Sequence, residues 1–165
     1  MVMYTCNSNY HYNNERQWKT RSSQVHWEAG QVAFLTSCEN YSHEDYRNLI
    51  DSKELPPKAT NHPCVILRRD HCSDYCIITP VSAFSASQET NFLPPWKQRC
   101  HWRKVRRHFR SFQGSESSGG SPFSQLLELR DGRTMPKPKV SWIYVEHIYV
   151  VPVHLLIPFI KSGGE

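Results

Sequence analysis

The sequence has no long uninterrupted apolar run. Its most apolar region, residues 140–160, is broken by Glu146, His147, Pro152, His154 and Pro158. A membrane-crossing helix of about 20 residues is therefore excluded there, and the region reads as strand and core. Residues 1–10 carry no basic segment followed by an apolar one, so no secretory signal is expected. Six cysteines, Cys6, Cys38, Cys64, Cys72, Cys76 and Cys100, are accordingly expected as thiols in an intracellular, cytoplasmic chain. The sequence also lacks a Gly-rich phosphate loop, a Gly-x-Ser-x-Gly elbow and a His-Glu-x-x-His pair, which removes the usual signals of nucleotide, serine and zinc hydrolysis. His71-Cys72-x-x-x-Cys76 and Cys100-His101 offer soft ligands without Cys-x-x-Cys spacing. Small buried thiols on strands are the simpler expectation, with no metal and no other cofactor. No internal repeat is present.

What is there points to one small domain. A chain of 165 residues is long enough to bury one core. Its formal charge of +5 favours an anionic partner, and five tryptophans and eight tyrosines supply stacking surfaces beside their ordinary core roles.

The pattern centres on residues 61–84. Two apolar runs, residues 64–67 and 75–78, flank a polar segment, residues 68–74. β-Branched and aromatic residues between polar turn formers predict a hairpin of two buried strands. In an antiparallel pair the start of one strand lies beside the end of the next. His62, ahead of the first strand, and Ser82, after the second, are thus expected to converge at one mouth. Thr79 competes with Ser82, because a shift of register carries its hydroxyl to the same place. The plainer alternatives are a His62 that hydrogen-bonds a loop and a Ser82 that forms a turn after Pro80. Arg68 and Arg69 fall at the far end of the hairpin.

Taken in order, residues 1–24 are rich in Asn, Ser, Tyr and Thr and read as a flexible arm ahead of a domain over residues 25–160. A first strand is expected over residues 32–36. The polar insert 37–59 holds a short helix over residues 44–50, ended by Leu55-Pro56-Pro57. In residues 96–111, Trp102, Val105 and Phe109 recur at helical spacing, which predicts a basic helix. That helix either rests its stripe on the core with a solvated outer face, or also presents Arg103, Lys104, Arg106 and Arg107 to phosphates. The same cations have the composition of a nuclear-import signal. Residues 113–122 read as a flexible Gly/Ser loop without core residues. Strand character resumes over residues 126–129, and Arg130-Asp131-Gly132-Arg133 is a turn. Strands follow over residues 140–145 and 148–151, with a helical turn over 153–157. Several short strands with one or two helices define a mainly β, α+β class, a small and highly curved barrel with inserts.

Four blocks resemble the PemK/MazF family: Gly30-Gln31-Val32-Ala33-Phe34-Leu35, His62-Pro63-Cys64-Val65-Ile66-Leu67, Thr79-Pro80-Val81-Ser82, and Ser141 through Ile148 running on to Leu156. The resemblance implies an SH3-like β-barrel and a toxin-type endoribonuclease that cuts single-stranded RNA without metal. It implies pairing as a homodimer and an inhibitory protein partner. By position, the family's catalytic Arg before Pro and its hydroxyl correspond to His62 and Ser82. An imidazole does acid–base work that guanidinium does poorly, but cannot supply a permanent bidentate charge to phosphate. Arg68 or Arg69 would have to provide that charge. The substitution leaves two expectations, a ribonuclease working through His62 and a catalytically silent barrel that binds RNA or a protein segment.

Overall fold

The computed structural model describes residues 26–69, 72–118 and 125–159. The expected N-terminal arm, Cys6, Asp70, His71 and residues 119–122 of the Gly/Ser-rich stretch lie outside them. Seven short strands form: β1 Val32–Leu35, β2 His62–Arg69, β3 Tyr75–Pro80, β4 Phe109–Ser111, β5 Trp142–Tyr144, β6 Tyr149–Pro152 and β7 Leu156–Pro158. They make a five-stranded antiparallel sheet ordered β6-β3-β2-β1-β7 and a two-stranded β4-β5 sheet. The mainly β class read from the sequence is what the chain adopts.

The large sheet is strongly coiled, and connectivity shows why. In a flat sheet, four strand spacings of about 4.8 Å would set its edges roughly 19 Å apart. Yet the edge strands β6 and β7 are joined only by the 3₁₀ turn Val153–Leu155, and three such residues rise about 6 Å. The sheet must curl to bring its edges together. The ladder stops short of closure: among the described residues β6 and β7 do not pair. Thr36 fastens the turn, its amide and hydroxyl both donating to the Leu155 carbonyl at 3.1 Å. A bulge between Ile66 and Arg68 adds twist where β2 passes β3.

Strand alternation supplies the core. Ala33, Leu35, Cys64, Ile66, Cys76, Ile78, Val151 and Leu156 all point to one face and are almost fully buried. Each fully buried aliphatic side chain there contributes about 1.5–3 kcal/mol. Helix α1, His43–Tyr46, buries none of its own residues, and the Tyr41, Leu49 and Ile50 side chains on either side of it join the core. The Ser42 hydroxyl caps the helix by accepting from the Asp45 amide at 3.1 Å. The helix continues at wider spacing through Arg47–Asp51, which buries Leu49 and Ile50. The helix expected over residues 44–50 is thus present, ending at Asp51 rather than at the prolines. Leu55 is completely buried beyond it.

The segment after β3 departs from expectation. No basic helix forms over residues 96–111. The chain instead makes 3₁₀ turns at Pro95–Lys97, Arg99–His101 and Arg106–His108 and then enters β4. Trp102 and Val105 are 72% and 42% exposed, whereas Phe109 is fully buried, so the three share no face. Arg99, Arg103 and Arg107 would stack like charges at helical i, i+4 spacing, and β4 pairing with β5 outweighs one helical turn. Residues 126–129 form no strand either. Leu127 makes a single parallel bridge to Phe112, and the ladder goes no further. Residues 113–118, the described part of the 113–122 loop, are packed, not loose. The Ser115 hydroxyl donates to the Pro138 carbonyl at 2.6 Å, and the Glu116 carbonyl accepts from Ser111 Oγ and from the buried Trp142 indole. Gly114 turns with φ +94°, and a Cβ there would lie 3.0 Å from Pro138.

Candidate nucleic-acid interface

The β2–β3 register, Cys64 with Pro80 and Val65 with Thr79, places Val81 beside Pro63, where its amide donates to the Pro63 carbonyl at 2.7 Å. One step further brings His62 and Ser82 to the same end, as antiparallel pairing predicts. The register also disposes of the competing hydroxyl. Thr79 is 2% exposed and its Oγ1 meets no partner among the described residues, so it cannot reach a strand in solvent. His62 sits after Asn61, whose φ is 59°. Its Nδ1 lies 2.7 Å from the Thr60 carbonyl, so Nδ1 carries the proton and Nε2 is left as the accepting nitrogen of the neutral ring. Ser82 Oγ accepts from the Phe84 amide at 3.1 Å. Both plain roles are therefore filled. Arg68 and Arg69 pair with Ile77 and Cys76 at the opposite end of the hairpin. Nε and Nη1 of Arg69 are buried and meet no partner among the described residues.

The denser chemistry lies just beyond the mouth. Ser82 exchanges backbone hydrogen bonds with Trp142 at 3.0 and 3.1 Å, which docks β5 onto the end of β3. After Ser82 the chain turns through two left-handed residues, Phe84 (φ 48°) and Ser85 (φ 66°). Bulky residues rarely accept that backbone. Here it lays the Phe84 ring edge-on to His101 and Phe109, with centroids 5.5 and 5.3 Å away. At the end of β5, Tyr144 and the turn after it present Glu146 and His147.

These elements enclose a cleft of about 610 Å³ lined by Cys100, His101, Trp102, Arg103, Lys104, Tyr144, Glu146 and His147. Lys104 Nζ stands 2.8 Å from His147 Nε2 and 4.1 Å from the Tyr144 ring centroid. An ammonium can only donate, so His147 Nε2 accepts. Burial first, then the positive charges of Lys104 and Lys58, push the His147 imidazole down to about 4. It is neutral at physiological pH. Burial and Lys58 also push the Lys104 ammonium down, against the pull of Glu146. The Tyr144 hydroxyl, and after it His108, hold the Glu146 carboxyl below the usual carboxylate range. His108 Nδ1 lies 2.6 Å from Glu146 Oε1. Trp102 stands out at the rim, with the Arg103 guanidinium 5.1 Å from its ring.

No protein-family model, curated protein or solved structure matches the chain. The site therefore has to be read from its own groups.

Of the cations singled out in the sequence, Arg103 and Lys104 line the cleft, and Arg106 and Arg107 belong to the adjoining 3₁₀ turn. Arg106 lies 5.8 Å from the Trp96 ring. Arg68 and Arg69 are not brought to this end. Sequence reasoning names His101 only beside Cys100 as a weighed metal ligand, and does not single out His108, Tyr144, Glu146 and His147 as site residues. Their signal is there in part: three titratable groups within residues 144–147, and two histidines inside the basic segment. Of the thiols and histidine weighed as metal ligands, Cys76 is buried in the core while Cys100 and His101 line the cleft. Among the described residues, no three His, Cys, Asp or Glu side chains stand together as a metal site. No described helix is long and apolar enough to cross a membrane.

Proposed function

We propose that the chain binds single-stranded RNA in this cleft, a base stacking on Trp102 while phosphates meet Arg103, Lys104 and the neighbouring Arg106 and Arg107. The exposed indole amid cations carries the reading. A large aromatic left 72% exposed forfeits burial, and base stacking on such a ring returns about 1–3 kcal/mol. Flanking cations add an affinity that falls with salt. Single strands fit better than duplex, because only unpaired bases offer a face to the ring. The resemblance to PemK/MazF proteins and the net positive charge agree with this reading. Fluorescence anisotropy with a labelled oligoribonucleotide tests it. Trp102→Ala should weaken binding about tenfold or more; an unchanged affinity removes the stacking role, and no RNA binding by the wild type removes the reading.

A second reading, metal-independent endoribonuclease activity, is favoured by the neutral His147 nitrogen held against the Lys104 ammonium. Cleavage needs a base for the 2′-hydroxyl, a cation for the phosphorane and an acid for the 5′-oxygen. His62 Nε2, or His147 Nε2 once Lys104 turns from it to the phosphate, supplies the base, Lys104 the cation, and water the proton for the 5′-oxygen. The 2′-oxygen attacks phosphorus, the bond to the 5′-oxygen breaks, and that oxygen takes the proton, leaving a 2′,3′-cyclic phosphate and a 5′-hydroxyl. Digestion in EDTA, with His62→Ala and His147→Ala compared in parallel, separates the two bases. Absence of cleavage by the wild-type protein leaves the binding role alone.

A further inference from the structure

Beside Tyr144 the cleft sets one ammonium against a neutral imidazole, a pair that becomes doubly positive if the ring takes up a proton. Lys104 Nζ and His147 Nε2 meet at 2.8 Å. Lys58 and His101 act on His147 from the 57–59 turn and from the basic segment. Glu146 is the one carboxylate among the described residues lining the cleft, and Tyr144 and His108 already engage it. Phe84 and Tyr144 lie behind the ammonium, with ring centroids 5.9 and 4.1 Å from it. The Tyr149 ring lies 6.4 Å from the imidazole between centroids. An internal phosphodiester brings one negative charge to such a place, whereas a terminal phosphate brings between about one and a half and two near neutrality.

We propose that this part of the cleft seats the terminal phosphate of a single-stranded RNA against Lys104 and His147, which part to receive it, and that His147 takes up a proton as the phosphate enters. The inference rests on the RNA-binding reading and narrows it to strand ends. In the empty cleft the lysine donates to a neutral imidazole. When a dianion arrives, the 2.8 Å contact opens, each nitrogen donates to a phosphate oxygen, and the proton that His147 gains comes from solvent. Both are then charge-assisted hydrogen bonds. The surrounding groups that titrate or carry charge are Lys58, His101, Tyr144, Glu146 and Tyr149, and His147 is the ring that meets the Lys104 ammonium.

The experiment compares a short oligouridylate bearing a 5′-phosphate, a 3′-phosphate or hydroxyls at both ends. Calorimetry at about pH 6.5, in two phosphate-free buffers of different ionisation enthalpy, reads affinity and proton uptake together. One phosphorylated end should bind about tenfold tighter than the hydroxyl-ended strand, the effect of one added charge-assisted contact. Its apparent enthalpy should depend on buffer, and inorganic phosphate should compete with it. Which end is preferred identifies the source of the phosphate. His147→Gln should lose both the end preference and the proton uptake. If that variant does not fold, the His147 ring resonances of the wild type, followed as inorganic phosphate is added, decide in its place: a shift toward the imidazolium position supports the proposal, and no shift overturns it. Equal affinity for all three strands overturns the end-binding inference alone. Failure of every strand to bind overturns the RNA reading with it.

Discussion

Replacing Lys104 by Gln should return part, but not all, of the basicity that His147 has lost. The ammonium sits 2.8 Å from the imidazole Nε2. At that separation a pair of unit charges repels by about 1.5 kcal/mol under water-like screening and about 6 kcal/mol at an effective dielectric constant near 20. The cleft is open on the Trp102 side and the imidazolium charge spreads over its ring, so the lower part of that range applies. One pH unit corresponds to about 1.36 kcal/mol, and the expected rise is roughly one to two units. Full recovery is not expected, because burial is the first cause of the depression and Lys58 also contributes. Glutamine can still donate to Nε2, which keeps the hydrogen bond while removing the charge. The assay is a histidine-ring NMR titration, with the His147 signals assigned by their disappearance in His147→Ala. A midpoint that does not move would mean that the ammonium and imidazole are not in contact in solution. A midpoint restored to the ordinary histidine value would mean that burial contributes little, contrary to the packing of the ring against Tyr144 and Phe84.

Three further outcomes follow from the same structure. His147 should make the fold acid-sensitive. Its folded value of about 4 lies below the unfolded 6.5, so unfolded chains bind the extra proton, and this stability, complete above about pH 6.5, is lost as pH falls toward 4. Discounted for the solvent that reaches the cleft, the loss amounts to at most about 3 kcal/mol, and chemical denaturation of wild type and His147→Gln across that window should show a shallower decline in the variant. Charge reversal at Arg103, Arg106 and Arg107 together should weaken RNA binding and reduce its log–log salt slope by about 2, at roughly 0.7 for each phosphate that is no longer neutralised; an unchanged slope would leave the segment a solvated face. Leu55→Ala should cost about 2–5 kcal/mol in denaturant unfolding, since the side chain is completely buried against the helix and sheet, and a loss under about 1 kcal/mol would contradict that packing.

The strands are legible in the sequence because alternation is written locally. Val32 to Leu35 and the two runs either side of residue 70 carry apolar side chains at the positions that face the core. Antiparallel pairing then suffices to bring His62 and Ser82 to one end. The basic segment misleads for a definite reason. Trp102, Val105 and Phe109 fit the helical period, but that spacing cannot say whether all three are buried, and only Phe109 is. The cleft is out of reach of local patterns because its defining contact joins Lys104 to His147, 43 residues apart. No local pattern reports a contact made through two separate 3₁₀ turns and a strand pair.

The two candidate sites also share a single hinge of structure, and this constrains how each can work. The Ser82 backbone pairs with Trp142, while its hydroxyl accepts from the amide of Phe84, the residue whose ring packs beside His101 and His147. Ser82 therefore sets the geometry of the cleft even if it never touches RNA. A left-handed Phe84 costs on the order of 1–2 kcal/mol, and the Ser82 cap together with aromatic packing around Phe109 and Trp142 offsets it. Loss of the hydroxyl in Ser82→Ala would then be felt at His147 as a shifted titration, whereas removal of the His62 ring, fastened to the Thr60 carbonyl on the other side of the mouth, would leave that titration in place. A phenotype at Ser82 thus does not by itself make it a catalytic residue. Only a change in RNA handling without a change in the His147 titration would do so.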